Sequence, residues 1–134
     1  MPGTTISPCL TFVRRVTNAF LKAGGHDATC YPSLRINHAT PGHVSGEFTI
    51  GKHNLNRLST LHGGLICSLV DTMGSLALAS KGLYSTGVST DIHTTFVKAA
   101  GTKGDQVKVE GRVTSMGEYI PKINCGTSRN KSWS

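Results

Sequence analysis

Between His62 and Ser80 the chain carries a single charged residue, Asp71. Along that stretch Leu65/Ile66, Leu69/Val70, Met73 and Leu76/Ala77 recur at helical spacing. A helix this apolar has little surface to give to water, so it is expected to be largely enclosed by the rest of the fold. Lys81-Gly82 supplies a basic last turn and a glycine stop, which bounds the helix at about residues 62–80. Everything else must be arranged to cover this element.

The covering material has a different period. His43–Ile50 alternates, with Val44, Gly46, Phe48 and Ile50 on one side. Val88, Thr90, Ile92, Thr94 and Phe96 form a β-branched side opposite Ser89, Asp91, His93 and Thr95. After a Gly-rich turn at Gly101–Asp105, Val107, Val109, Gly111 and Val113 alternate with Lys108, Glu110 and Arg112, which predicts a hairpin of two neighbouring strands. A further strand is expected near Ser33–Asn37, before the Pro41-Gly42 turn, and Gly51–Thr60 reads as a loop. A sheet wrapped around one apolar helix is the simplest way to bury these faces, an α+β arrangement. At 134 residues the chain suits one domain.

Near the N-terminus, Leu10, Val13, Thr17, Phe20 and Leu21 suit an amphipathic helix over about residues 9–23, stopped by Gly24-Gly25. The same stretch, with Arg14, Arg15, Lys22 and no acid, also has the composition of a mitochondrial transit peptide. A cytoplasmic or mitochondrial location is therefore expected. No apolar run approaches the roughly 20 residues of a membrane-spanning helix. The four cysteines (Cys9, Cys30, Cys67, Cys125) are scattered without a C-x-x-C pair, which favours free thiols. Cys67, mid-helix in the apolar run, reads as core packing rather than a nucleophile. The histidines show no metal-ligand spacing, so no metal is expected. The net charge of +7 suits an anionic partner. Few and unclustered aromatics argue against nucleic acid.

Two features of the helix invite chemistry. Leu61-His62-Gly63-Gly64 stands at its head, where unpaired N–H groups and the dipole favour negative charge. Glycines there let a substrate oxygen reach the main chain, though they equally let two elements pack closely. Asp71, an acid amid apolar neighbours, is either a general base or nucleophile, or simply an acid at a water-exposed patch or in a structural ion pair. It lies nine residues past His62, ~13.5 Å along the axis and half a turn out of phase. Both ends converge on one substrate only if a second copy of the helix runs antiparallel alongside, as in an isologous dimer. Asn56, in the preceding loop, and Ser89, on the polar side of a strand, complete the set, although residues of these types are more often plain turn or surface positions.

The ordered set Asn56-x-x-x-x-Leu61-His62-Gly63-Gly64, then Leu69-Val70-Asp71, then Gly87-Val88-Ser89-x-Asp91, resembles the PaaI-type hotdog thioesterases, nearest the acyl-coenzyme A thioesterase 13 group. The resemblance runs from about residue 10 to Gly117. It implies a hotdog fold, a long central helix wrapped by an antiparallel sheet, working as a dimer or a dimer of dimers. It implies hydrolysis of acyl-CoA to a fatty or aryl acid and CoA, with coenzyme A as part of the substrate and no separate cofactor. Asn56 and the Gly63 N–H would polarise the carbonyl. Asp71 of the other protomer would activate water or attack directly, Ser89 would assist, and His62 would support the loop or the leaving thiol. Lys52, Phe96, Ser115, Met116 and Gly117 match the region that binds the CoA moiety. A dehydratase acting on acyl thioesters is the rival within the fold, and the placement of Asp71 and Ser89 favours hydrolysis.

The departure lies at the C-terminus. Members of that family add two more alternating strands, whereas residues 118–134 read as a polar, basic tail, a loop or disordered end. The expected organisation is therefore a hotdog domain over 1–117, lacking its last strands, plus a tail from an alternative or misread exon junction. A truncated, catalytically weak protomer that associates with a full-length thioesterase is the alternative function.

Overall fold

The computed structural model describes residues 7–83, 101–116 and 121–129. The elements run α1 (Pro8–Lys22), α2 (His26–Cys30), β1 (Arg35–Thr40), β2 (His43–Thr49), a short 3-10 turn (Lys52–Asn54), α3 (Gly63–Ala79), β3 (Gln106–Met116) and β4 (Pro121–Arg129). The four strands form one antiparallel sheet in the order β1-β2-β3-β4. Helix α3 lies across β2, β3 and β4, the central-helix hotdog arrangement that the alternating and helical periods imply.

Each strand buries one side because successive residues point to opposite faces of the sheet. Val44 sits opposite Gly111 and Phe48 opposite Val107, so the apolar positions of β2 and β3 share the face toward α3. Phe48, Val107 and Val109 meet Leu69, Met73 and Leu76 of α3 in one core. Helix and sheet approach closely at Gly111, where a Cβ would stand 2.6 Å from the carbonyl oxygen of Met73. Gly111→Ala should therefore cost about 1–3 kcal/mol, the range for overpacking a well-filled core. A lower urea midpoint with an unchanged denaturant slope would register it; an unshifted midpoint would mean the helix can move away freely.

Helix α1 begins with Ser7, whose side chain accepts from Leu10 N–H, and with Pro8, which loses no bond there. It buries Val13, Val16 and Thr17. Arg14 donates its Nε–H to the Ile36 carbonyl at 2.9 Å, so α1 also satisfies part of the outer edge of β1. The amphipathic reading of this segment accounts for its place in the core. Among the described residues no helix is long and apolar enough to cross a membrane. Cys9 and Cys30 are free thiols.

Three expectations need correction. The strand foreseen near Ser33–Asn37 is β1, two residues later. Helix α3 is largely enclosed, as expected, with one more open stripe on which Gly64 and Asp71 are exposed and Cys67, Ser68 and Ser75 half-buried. Cys67 thus stands on the more open side rather than in the core. The tail is not wholly loop, for β4 pairs with β3 from Met116 opposite Pro121 to Val107 opposite Arg129. Pairing uses backbone groups that every residue but proline supplies in full. The register sets Ile123, Cys125 and Thr127 opposite Val113, Gly111 and Val109, a weak alternation hidden by the polar residues between. The strand foreseen at 88–96 lies outside the described residues.

Candidate active site

The segment between β2 and α3 is a framework for the head of the helix. Leu55 and Leu61 form an isolated antiparallel bridge, and the residues between them close a tight turn built on Asn56. The Asn56 side-chain oxygen accepts from Leu58 N–H at 2.9 Å and Thr60 N–H at 3.1 Å. Its amide nitrogen donates to Thr60 Oγ1 at 2.9 Å. A primary amide has two N–H groups. One is thus spent inside the turn, and the other has no acceptor among the described residues.

His62 is the N-cap of α3, and its Nδ1 accepts from Gly64 N–H at 2.8 Å. An accepting Nδ1 is unprotonated, which places the ring hydrogen of a neutral imidazole on Nε2. The histidine therefore caps the helix start. It also consumes the N–H of Gly64. The N–H of Gly63 donates to nothing among the described residues. Gly63 is half-exposed, so a free donor at the positive end of a 17-residue helix opens to solvent beside the Asn56 turn. A free N–H at a helix start can hold a carbonyl oxygen and stabilise it as it gains charge.

Asp71 is exposed on the open side of α3. Eight residues separate it from Gly63, about 12 Å along the axis, so one straight helix does not bring the two together. Lys52 is exposed on the short 3-10 turn. Ser115 and Met116 end β3, paired with Lys122 and Pro121. Ser89, Phe96 and Gly117 lie outside the described residues.

Sequence reasoning missed the residues that secure this framework. Asn54 is 2 % exposed. Its side chain donates to the Cys30 carbonyl at 2.6 Å and accepts from Gly51 N–H at 2.8 Å. Its carbonyl receives the His62 N–H at 2.8 Å. One asparagine thus ties α2, the end of β2 and the start of α3. At the C-cap of α2, Tyr31 Oη donates to Asp27 at 2.6 Å and contacts Thr72 Oγ1, which also bonds Asp27 at 2.9 Å. Burial first, and the hydrogen bond to Asp27 second, push the Tyr31 hydroxyl far above the ordinary phenol range, so it stays protonated. His26 reaches Ser68 of α3 at 2.8 Å. A separate groove, between the start of α1 and the edge of β1, shares no residue with the Gly63 cluster.

The chain matches the Thioesterase superfamily over residues 58–124. It is 41% identical over 111 residues to a Schizosaccharomyces pombe protein that carries an esterase name, covering 83% of this chain and 69% of that relative. Human acyl-coenzyme A thioesterase 13 is 29% identical over 108 residues, covering 81% of this chain and 76% of the human protein. The crystal structure of zebra fish thioesterase superfamily member 2 superposes with a TM-score of 0.83 at 25% identity, covering 92% of this chain and 88% of that one. The E. coli PaaI structure shares the fold, with a TM-score of 0.74 at 20% identity over 91% and 85% of the two chains.

Proposed function

Because this chain belongs to the thioesterase superfamily, we propose that it hydrolyses the thioester of acyl-coenzyme A, releasing a fatty or aryl acid and CoA. The observation that carries this reading is the uncommitted Gly63 N–H at the head of α3, next to a turn whose Asn56 amide keeps one N–H to give. The thioester oxygen sits between these donors. Water adds to the carbonyl carbon as a carboxylate takes its proton, and negative charge moves to the oxygen that the donors grip. The tetrahedral adduct collapses by expelling the CoA thiolate, which takes up a proton. In the variant of this route the carboxylate itself attacks, and the resulting anhydride is then hydrolysed.

The carboxylate is Asp71 of the partner subunit. Within one chain it is about half the helix away from Gly63, whereas an antiparallel second α3 brings the two opposite each other, twice per dimer. The open stripe of α3 leaves room for that copy, because Gly64 and Ser75 are small. His62 keeps the helix start in shape. Ser89 assists the acid, and Lys52, Phe96 and the 115–117 segment hold the CoA moiety. The truncated-protomer reading was motivated by an unfinished sheet, and β4 supports the active reading instead.

A thiol-release assay over acyl-CoAs of varied length, run with a solution mass measurement, tests this. Release of free thiol by a species at least twice the chain mass is expected. Double-bond hydration without thiol release would favour the dehydratase, and a strictly monomeric chain that cleaves its substrate would remove the shared site. A chain that cleaves nothing yet co-assembles with an intact thioesterase would restore the truncated-protomer reading.

A further inference from the structure

Midway along α3 between the Gly63 donor and the Asp71 acid stands Cys67. Each neighbour is one turn away, about 6 Å along the axis and about 40° round it, since a residue adds about 1.5 Å and 100°. Cys67 therefore bisects the pair in height and in direction alike. It is half-buried, on the same open stripe as exposed Gly64 and Asp71 and half-buried Ser75.

The stripe is walled on both flanks. On one, α2 is tied down by His26, which reaches Ser68 Oγ at 2.8 Å, and by Asp27, which accepts from Thr72 Oγ1 at 2.9 Å. On the other stand the larger, half-buried Ile66 and Val70. A second α3 is thus guided onto Gly64, Cys67 and Ser75, whose short side chains let two helices come close. Packed helix axes lie about 8–10 Å apart, and each Cα stands about 2.3 Å from its axis, which leaves about 3–5 Å between Cα atoms that face directly. The upper part of that range meets the about 4.4–6.8 Å that a disulfide spans.

We propose that Cys67 of one protomer faces the partner's Cys67 across the two-fold axis, midway between the two active sites, as a thiol pair that oxidation closes into an intersubunit disulfide. The proposal rests on the shared-site reading above. A two-fold pairing that sets Gly63 opposite the partner's Asp71 also sets Asp71 opposite the partner's Gly63, so the residue halfway between meets its own copy. On closure both S–H bonds break and one S–S bond forms. An azo oxidant such as diamide takes the two hydrogens onto its N=N bond, which becomes a hydrazine; a peroxide becomes two waters. The other described cysteines are placed elsewhere. Cys9 donates to the Ser80 carbonyl at the far end of α3, and Cys30 lies on α2 against His26 at 3.5 Å. Burial pushes the Cys9 thiol up, and burial, then the charge of Asp27, pushes Cys30 up, so both hold little thiolate at neutral pH.

The test treats the wild-type chain with diamide near neutral pH, separates it without reductant and maps the linked peptides by mass spectrometry. Most of the chain should run at twice its mass, joined from residue 67 to residue 67, and dithiothreitol should reverse the change. Linking should proceed at a rate independent of chain concentration, because the partners already face each other. Cys67→Ser should lose the linked species while keeping the native solution mass of wild type. A native dimer that does not link, linkage through other cysteines alone, or a rate that climbs with concentration as chance encounters do, overturns the thiol pair and leaves the hydrolase reading standing. A chain that is monomeric in solution removes the shared site, and the pair falls with it.

Discussion

Replacing Asp71 with alanine should lower thioester turnover by about 10³-fold or more while the chain still folds and assembles, because a positioned general base contributes on the order of 10²–10⁴. Asp71 is exposed on α3, so its removal opens no cavity in the protomer core. Alanine is also the better helix former. Asp71→Asn keeps the shape of the side chain and removes only its basicity, and it should be as inactive as the alanine variant. The measurement is kcat for thiol release beside a thermal melt and a solution mass. Near-normal turnover by either variant would take Asp71 out of the mechanism.

Gly63→Pro should lower kcat by roughly 10²–10³, the usual consequence of deleting one oxyanion donor. Proline is an unusually clean probe at this position. Gly63 is the first residue of α3, where proline is favoured because its missing N–H would have had no helical partner. The preceding His62 has φ -66 and ψ 133, inside the extended region that a following proline demands. The substitution therefore removes the donor with little disturbance to the helix. Unaltered kcat with an intact fold would show that the Gly63 N–H does not hold the carbonyl.

The two variants together test the shared site more severely than either alone. A chain with Asp71→Ala retains Gly63, and a chain with Gly63→Pro retains Asp71. If each site takes one group from each copy, a mixed dimer contains one complete site and one doubly defective one. Random pairing of equal amounts should then restore about a quarter of wild-type activity. If both groups served one site within a protomer, mixing two inactive chains would restore nothing.

Much of this molecule is legible in the residues. The near absence of charge from His62 to Ser80 marks α3, and the alternations at Val44–Ile50 and Val107–Val113 mark β2 and β3 with their buried sides correctly assigned. Leu10, Val13 and Thr17 marked α1. These elements announce themselves because their burial repeats along the chain with the period of the local backbone. The helix start was legible for the same local reason, since capping and free N–H groups belong to the first turn itself.

Other features left no periodic trace. Helix α2 has no buried residue, so no hydrophobic pattern points to it. The β4 strand pairs through its backbone with β3, which directly precedes it in the chain, and its polar residues disguise it.

The sequence by itself determined a central helix under a sheet, an acid on that helix and a glycine pair at its head. Only the tertiary structure decided which donors remain to be given. Asn54 absorbs the His62 N–H, His62 absorbs that of Gly64, and the Asn56 turn takes one amide hydrogen of two. A hydrogen bond depends on where two groups meet in space, to within a few tenths of an ångström. Residue spacing along the chain carries no such information for groups joined through loops, so the free Gly63 N–H becomes visible only once its neighbours are in place.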